Sequence, residues 1–393
     1  KVLNGPVPAM VQTIVDDQLD ILIDLCGYTG TSLVADIMAY LRLIQLQQQQ
    51  SELQLQSELE ERSKDSRSNN DIMEKKINQN KMMIHVSYMG FPGSSGSPCI
   101  DYLIADQIVI PPTNKKIRKQ YTENILYMPH CYFVNSHKYL IASSRNNTNE
   151  NEQPARDDYG LPSKGNGFVF CCHSRPDKID PNTFTTWIKA LKRTRIEGQR
   201  TYNNNMYHAV LWILRSGKGN GTTSNSKKSK SNASNNDSDN QCRMEMNLRR
   251  CAENIMNSSD ENNENDGGVP SSTTTPATTP YLIFCDQVSR KEHLHRLSIG
   301  ADLFLDTPAY NAHTVGCDCL SCGVPMISLL RKNVNDNKNN DDDDNNNNDN
   351  NDDHSNDFMM VPTDKLASRV GASLLKSAIS SSSSSSSSLS DVL

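Results

Sequence analysis

Eight short apolar runs punctuate the chain: Asp20–Leu25 (DILIDL), Ile84–Met89 (IHVSYM), Tyr102–Ala105 (YLIA), Phe168–Cys172 (FVFCC), Ala209–Leu214 (AVLWIL), Tyr281–Cys285 (YLIFC), Asp302–Leu305 (DLFL) and Met326–Leu329 (MISL). They are nearly continuous in hydrophobicity instead of alternating, as strands covered on both faces require. Between them Thr31–Leu43, Asn182–Lys192, Cys242–Met256, Lys291–Ser298, Thr314–Cys322 and Asp364–Ile379 place apolar residues three or four apart, which predicts helices. From Phe168 onward strand and helix alternate strictly, the pattern of a parallel α/β sheet of Rossmann type. Such sheets bind ligands outside the carboxyl ends of their strands, where the next helix presents its N-terminus.

Polar, repetitive tracts interrupt this pattern: 43–83 with its Gln run, 146–158, 216–241, 257–280, 331–360 and nine serines from Ser380 to Ser388. All fall between predicted elements, where insertions cost little closure entropy, and their composition predicts disorder. For the first, leucines at 41, 46, 53, 55 and 59 leave a solvent-facing or coiled helix as the lesser alternative. The rest of the 393 residues suffices for two lobes. No internal repeat of solenoid length is present.

Net charge is −6, but residues 333–357 hold nine Asp against one Lys, so the remainder of the chain stands near +2. That balance lacks the basic excess of a nucleic-acid-binding surface. Eleven cysteines scattered through apolar runs, with Cys171 beside Cys172, fit a reducing compartment better than a disulfide framework. No apolar run reaches the ~18 residues of a membrane-spanning helix.

One stretch concentrates candidate chemistry. NAHTVGCDCLSCG (311–323) holds His313, Cys317, Cys319 and Cys322, a composition that raises zinc. A C-x-C-x2-C run on a helix sends Cys317 and Cys319 in diverging directions and lacks a well-placed fourth ligand, so no metal is expected. The same stretch follows the DLFL strand and opens a helix near Thr314, which suits an anion.

Seven blocks, DILIDLCGYTG, MGFPGSSGSPCIDYLIAD, ENILYMPHCYF, KIDPNTFTTWIKALK, VLWILR, ADLFLDTPAYNAHTVGCDCLSCGVPM and KLASRVGASLL, occur in an order that resembles the C-terminal catalytic region of the protein O-GlcNAc transferases. The resemblance implies a GT-B glycosyltransferase of two Rossmann-like lobes. The first, residues 1–145, would lack its N-terminal opening, and the second, 159–379, would bind the nucleotide sugar ahead of a Ser-rich tail, 380–393. It implies transfer of GlcNAc from UDP-GlcNAc to Ser or Thr hydroxyls of intracellular proteins, inverting, with no metal or cofactor beyond the donor substrate. A cytoplasmic or nuclear location and helical repeats upstream of Lys1 are expected with it.

By the same resemblance Lys178 contacts the donor diphosphate, where extra negative charge on the leaving group needs a fixed cation. The His313–Thr314 helix start would cradle phosphate, Asp318 and Arg290 would hold ribose, and His293 would pack on uracil. The spacing to Ala301 leaves Leu294 or His295 as alternatives for the last role. His130 would lie on the acceptor side, and Gly90–Gly96 (GFPGSSG) would let backbone approach a ligand.

Arg175 stands where the family commonly has Gln, and Val315 replaces a Thr, losing a hydrogen bond worth about 1 to 3 kcal/mol to a charged partner. Two rivals stay open: a protein O-fucosyltransferase using GDP-fucose, against which LASRV and the His313–Thr314 pair count, and a catalytically inactive nucleotide-binding scaffold.

Overall fold

The computed structural model describes residues 3–29, 32–63, 82–137, 155–203, 207–215, 234–258, 280–330 and 365–382. These form two compact units, Lys1–Val134 with Asp364–Ala367, and Asn135–Thr363 with Ser368–Leu393. Both are α/β with wholly parallel sheets, as the continuous apolar runs predict.

In the first unit β1 (Ile21–Asp24), β2 (Ile84–Ser87), β3 (Tyr102–Asp106) and β4 (Asn124–Met128) lie in that order across the sheet. The sequence pattern misses β4, an edge strand exposed along most of its length. It also misses α1 (Val7–Asp16), whose Met10, Val11 and Ile14 pack with Ile37, Leu41 and Met83, and α3 (Lys115–Arg118), a single turn capped by Asn114. Gly90 sits at φ +41°, and a Cβ there would meet the carbonyl oxygens of Cys26 and Leu25 at 2.5 and 2.6 Å, so only glycine lets this turn close against the end of β1.

The expected break at Leu43 is corrected. Helix α2 runs from Val34 to Ser63, straight through the Gln run. Its beginning is anchored by buried Met38 and Leu41 and by the Arg42 ion pair to Asp101 at 2.6 Å. Beyond it, Leu, Gln and Glu are intrinsically good helix formers, and propensity suffices to carry the helix on. Residues 64–81 lie outside the described residues.

The second unit has strand order β7 (Leu282–Cys285), β6 (His208–Leu214), β5 (Gly167–Cys172), β8 (Leu303–Leu305), β9 (Met326–Ile327). The chain works outward from β5 through β6 to β7, then crosses back to lay β8 on the other side of β5. Strand order therefore reverses beside β5, and the loops leaving β5 and β8 open at a topological switch point.

Helix α4 (Pro181–Tyr202) outruns its predicted end at Lys192 and stops at Asn203 in the left-handed region, φ 46°. Its start is set by Asp180, whose carboxylate accepts from the N–H of Asn182 and Thr183 at 3.1 and 2.9 Å. Phe184, Ile188 and Leu191 pack onto Phe170, Ala209, Leu211 and Phe284. Helix α5 (Ser234–Asn257) begins inside the tract expected to be disordered. So does the turn Arg156–Tyr159, where buried Arg156 pairs with Asp302 at 2.5 Å and donates to the Ile299 carbonyl. The remaining elements are α6 (Arg290–Gly300), α7 (Thr314–Ser321) and α8 (Val370–Ser382), the last entering the Ser tract by three residues. The rest of the 146–158, 216–241, 257–280, 331–360 and 380–388 tracts lies outside the described residues, apart from a few residues at their edges.

Gly167 opens β5 so close to β6 that a Cβ there would collide with the His208 carbonyl oxygen and with Pro162 at 2.6 Å. Because the first obstacle is sheet backbone, Gly167→Ala is expected to destabilise the second unit by about 1 to 3 kcal/mol. The midpoint of urea unfolding, followed by Trp fluorescence, measures this.

Candidate functional site

The site is built from three strand-to-helix junctions of the second unit. After β5 the chain passes His173, Ser174 and Arg175 and makes one tight turn, Pro176–Lys178, before Asp180 caps α4. That turn sets Lys178 beside the β8 loop, with Nζ 3.8 Å from the centre of the Tyr310 ring. Burial pushes the Lys178 ammonium down from the ordinary lysine range, while Asp306 and Asp177 pull it back. Arg175 turns outward and pairs with exposed Asp177 at 2.5 Å.

The β8 loop is held by Asp306, a buried carboxylate at the strand end. Its Oδ1 accepts from the N–H of Thr307 and Ala312 at 2.9 and 2.7 Å, and its Oδ2 accepts from the Ser328 hydroxyl at 2.7 Å. Burial pushes its carboxyl up to about 6 despite these bonds. Asn311, fully buried, donates to the Thr307 carbonyl and accepts from the Gly371 N–H of α8, both at 3.0 Å. Thus the Asn and Ala of NAHT shape the loop, and of the two residues after them His313 is half-buried and Thr314 faces outward. Thr314 is exposed at the first position of α7. The first helical bond is Cys317 N–H to the His313 carbonyl, so the N–H groups of 314–316 precede the ladder. His313 bonds the Asn311 carbonyl through Nδ1 at 2.9 Å, and burial drives its imidazole down to about 4.

The third junction, after β7, brings α6 against α7. Ser289 caps α6, accepting from Glu292 N–H at 3.3 Å. One turn inside α7, Asp318 is buried, and its Oδ1 takes Arg290 at 3.3 Å and His137 Nε2 at 2.5 Å. His293 Nε2 stands 3.6 Å from Asp318 Oδ2. Of His293, Leu294 and His295 it is therefore His293 that joins the carboxylate. Burial, with Arg296 nearby, drives the His293 imidazole down to about 4 against the pull of Asp318. Behind it His173 is wholly buried, edge-on to Trp212 at 4.5 Å and 5.5 Å from the His293 ring.

The second unit thus brings together Arg290, His293 and Asp318 in direct contact, and Lys178 beside the His313–Thr314 helix start. His130 belongs to the first unit, exposed two residues after β4. The sequence reading passed over His137, Arg296, Asp306 and Tyr310. Asp306 had a signal, a carboxylate closing an apolar run. His137 lies 181 residues from Asp318, and nothing local announces it.

The thiols of the CDCLSC stretch do not converge. Cys317 and Cys319 are buried, Cys322 donates to the Leu294 carbonyl at 3.2 Å, and burial pushes its thiol up to about 11. Among the described residues, no group of three His, Cys, Asp or Glu could hold a metal ion, and no helix is long and apolar enough to cross a membrane.

Comparison with known proteins converges on one family. Residues 67–155 and 271–337 match the profile of glycosyl transferase family 41. An Arabidopsis thaliana protein named "Probable UDP-N-acetylglucosamine--peptide N-acetylglucosaminyltransferase SEC" is 33% identical over 246 residues, 63% of this chain and 18% of its own length. A Caenorhabditis elegans UDP-N-acetylglucosamine--peptide N-acetylglucosaminyltransferase is 26% identical over 176 residues, 44% of this chain and 10% of its own. The chain therefore spans under a fifth of these relatives. A solved structure of a Thermobaculum terrenum O-GlcNAc transferase mutant aligns with TM-score 0.50 and 16% identity, covering 96% of this chain and 44% of that one. At that identity the match speaks for the GT-B fold.

A pH dependence follows from His313. It is neutral in the fold down to about pH 4, whereas the unfolded chain takes up its proton near 6.5. The unfolded state thus binds more protons in this window, and stability present above pH 6.5 is lost as pH falls toward 4, by about 3 kcal/mol. Asp306, raised to about 6, acts oppositely below pH 6. Comparing His313→Gln with the parent cancels that contribution, and urea midpoints from pH 7.5 to 4 are expected to fall less steeply in the variant.

Proposed function

We propose that this chain, whose residues 67–155 and 271–337 match the profile of glycosyl transferase family 41, carries the donor-binding and catalytic machinery of an enzyme that moves GlcNAc from UDP-GlcNAc to Ser or Thr hydroxyls of proteins, with inversion and without a metal. The observation that carries this reading is the convergence, at the switch point of one parallel sheet, of a cation, a helix N-terminus and a carboxylate with a neighbouring neutral imidazole. Each suits one part of a nucleoside diphosphate sugar.

The acceptor oxygen bonds to the anomeric carbon as the bond to the diphosphate oxygen breaks, UDP leaves with the electron pair, and the hydroxyl proton passes to a donor phosphate oxygen or to water. Charge grows on the diphosphate during this step. Lys178 and the leading N–H groups of α7, with the Thr314 hydroxyl, lie where they can stabilise it, and such groups act most strongly when fixed beforehand. The Tyr310 ring beneath Nζ and the bonds of Asp306 supply that fixing. Asp318 can accept from ribose hydroxyls, with Arg290 beside it. A neutral His293 suits packing on a base better than a cation would, since it carries no hydration shell to shed. His130 of the first unit is assigned to the acceptor side. Protein acceptors follow from the same reading.

Lys178→Ala is expected to lower transfer about 10²- to 10³-fold with an unchanged melting temperature. The assay is intact-mass spectrometry of a Ser/Thr-rich acceptor protein incubated with the full-length parent enzyme and either UDP-GlcNAc or GDP-fucose. A hexosamine adduct from the first donor is the expected result. A deoxyhexose adduct from the second would make the enzyme a fucosyltransferase, and UDP binding without any adduct would make it a scaffold.

A further inference from the structure

The residue most tightly bound to Asp318 comes from neither α6 nor α7. His137, the third residue of the second unit, is 3% exposed, and its Nε2 lies 2.5 Å from Asp318 Oδ1, with Arg290 Nη2 3.2 Å from the same nitrogen. The other ring nitrogen, Nδ1, lies 2.8 Å from Asn135 Oδ1, which also accepts the His137 backbone N–H at 3.2 Å. That backbone bond identifies the Asn135 atom as oxygen, so Nδ1 must carry a proton to meet it. The 2.5 Å between Nε2 and Asp318 Oδ1 is hydrogen-bonding distance. The contact is a charge-assisted hydrogen bond between two buried side chains.

This leaves the two oxygens of Asp318 unequal. Oδ1 is occupied by His137 and Arg290. Among the described residues, the ion-pair partner of Oδ2 is His293 Nε2, at 3.6 Å. A carboxylate pinned through one oxygen cannot rotate about its terminal torsion, so the other oxygen keeps one direction.

We propose that His137 is a positioning residue of the nucleotide site, gripping Oδ1 of Asp318 so that Oδ2 is presented to the ribose hydroxyls of the donor. The inference rests on the assignment of Asp318 to ribose made above. It adds a residue that touches no part of the substrate and acts through the carboxylate alone. Asn135 in turn sets the ring.

The test separates the two claims by using UDP and its 2′,3′-dideoxy analogue as ligands, in calorimetric titrations of the full chain. Asp318→Asn should lose affinity for UDP and lose much less for the dideoxy analogue. If it weakens both alike, the ribose assignment itself is wrong. Given that discrimination, His137→Phe should weaken UDP about 10- to 100-fold and the analogue less than about twofold. His137→Gln, whose amide N–H can still reach Oδ1, should recover most of the loss. Equal weakening of both ligands by His137→Phe, or no recovery with Gln, would reduce His137 to a structural residue and overturn the proposal. Should the Phe variant fail to fold, His137→Asn, polar but too short to reach Asp318, takes its place with the same two expectations.

Discussion

The burial of one carboxylate, Asp306, is the interaction on which the candidate site rests. It ends β8 at the switch point, binds two backbone N–H groups of the loop that follows, takes the hydroxyl of Ser328 after β9, and is the leading charge acting on Lys178. Taking a carboxylate out of water is costly, and the rise of its pKa to about 6 records that cost. Three hydrogen bonds offset part of it. In return the loop has one conformation, and the start of α7 has one direction. A neutral isostere would keep the shape but lose the negative charge that faces the lysine.

Around this anchor the polar groups of the second unit are arranged as alternating charges. Lys178 lies near Asp306, and Arg290 and His137 both touch Asp318. The same unit holds His173, His293 and His313, each driven toward the neutral form by burial. On the proposed reading this division has a use. Lys178 sits where a diphosphate would develop charge, and the uncharged His293 ring sits where a base would stack. One sheet achieves both because its strand order reverses beside β5, so that loops distant in sequence open on the same edge.

The parts of this architecture legible from the chain are those governed by local rules. Strands buried on both faces must be apolar throughout, and FVFCC, AVLWIL and DLFL are. Edge strand β4 escaped the same rule because most of it faces solvent and its run is short. The Gln tract failed in the opposite sense. Its composition reads as disordered, yet Leu, Gln and Glu carry α2 on to Ser63 once Met38 and Leu41 have anchored its first turns. Low complexity limits the apolar surface a segment can bury without forbidding a helix that begins elsewhere.

By itself the sequence determined the α/β class, the parallel sense of its strands, the junction at which NAHT meets a helix, and the family that its ordered blocks resemble. These follow from periodicity, capping chemistry and motif, all of which act over a few residues. Only the tertiary structure decided that Lys178 would lie against Tyr310, that Asp306 would hold the loop between them, and that His137 would grip Asp318 across 181 residues. Those contacts depend on the order of strands in the sheet and on which crossover returns past β5. That order is settled by packing the whole core, and no window along the chain contains it.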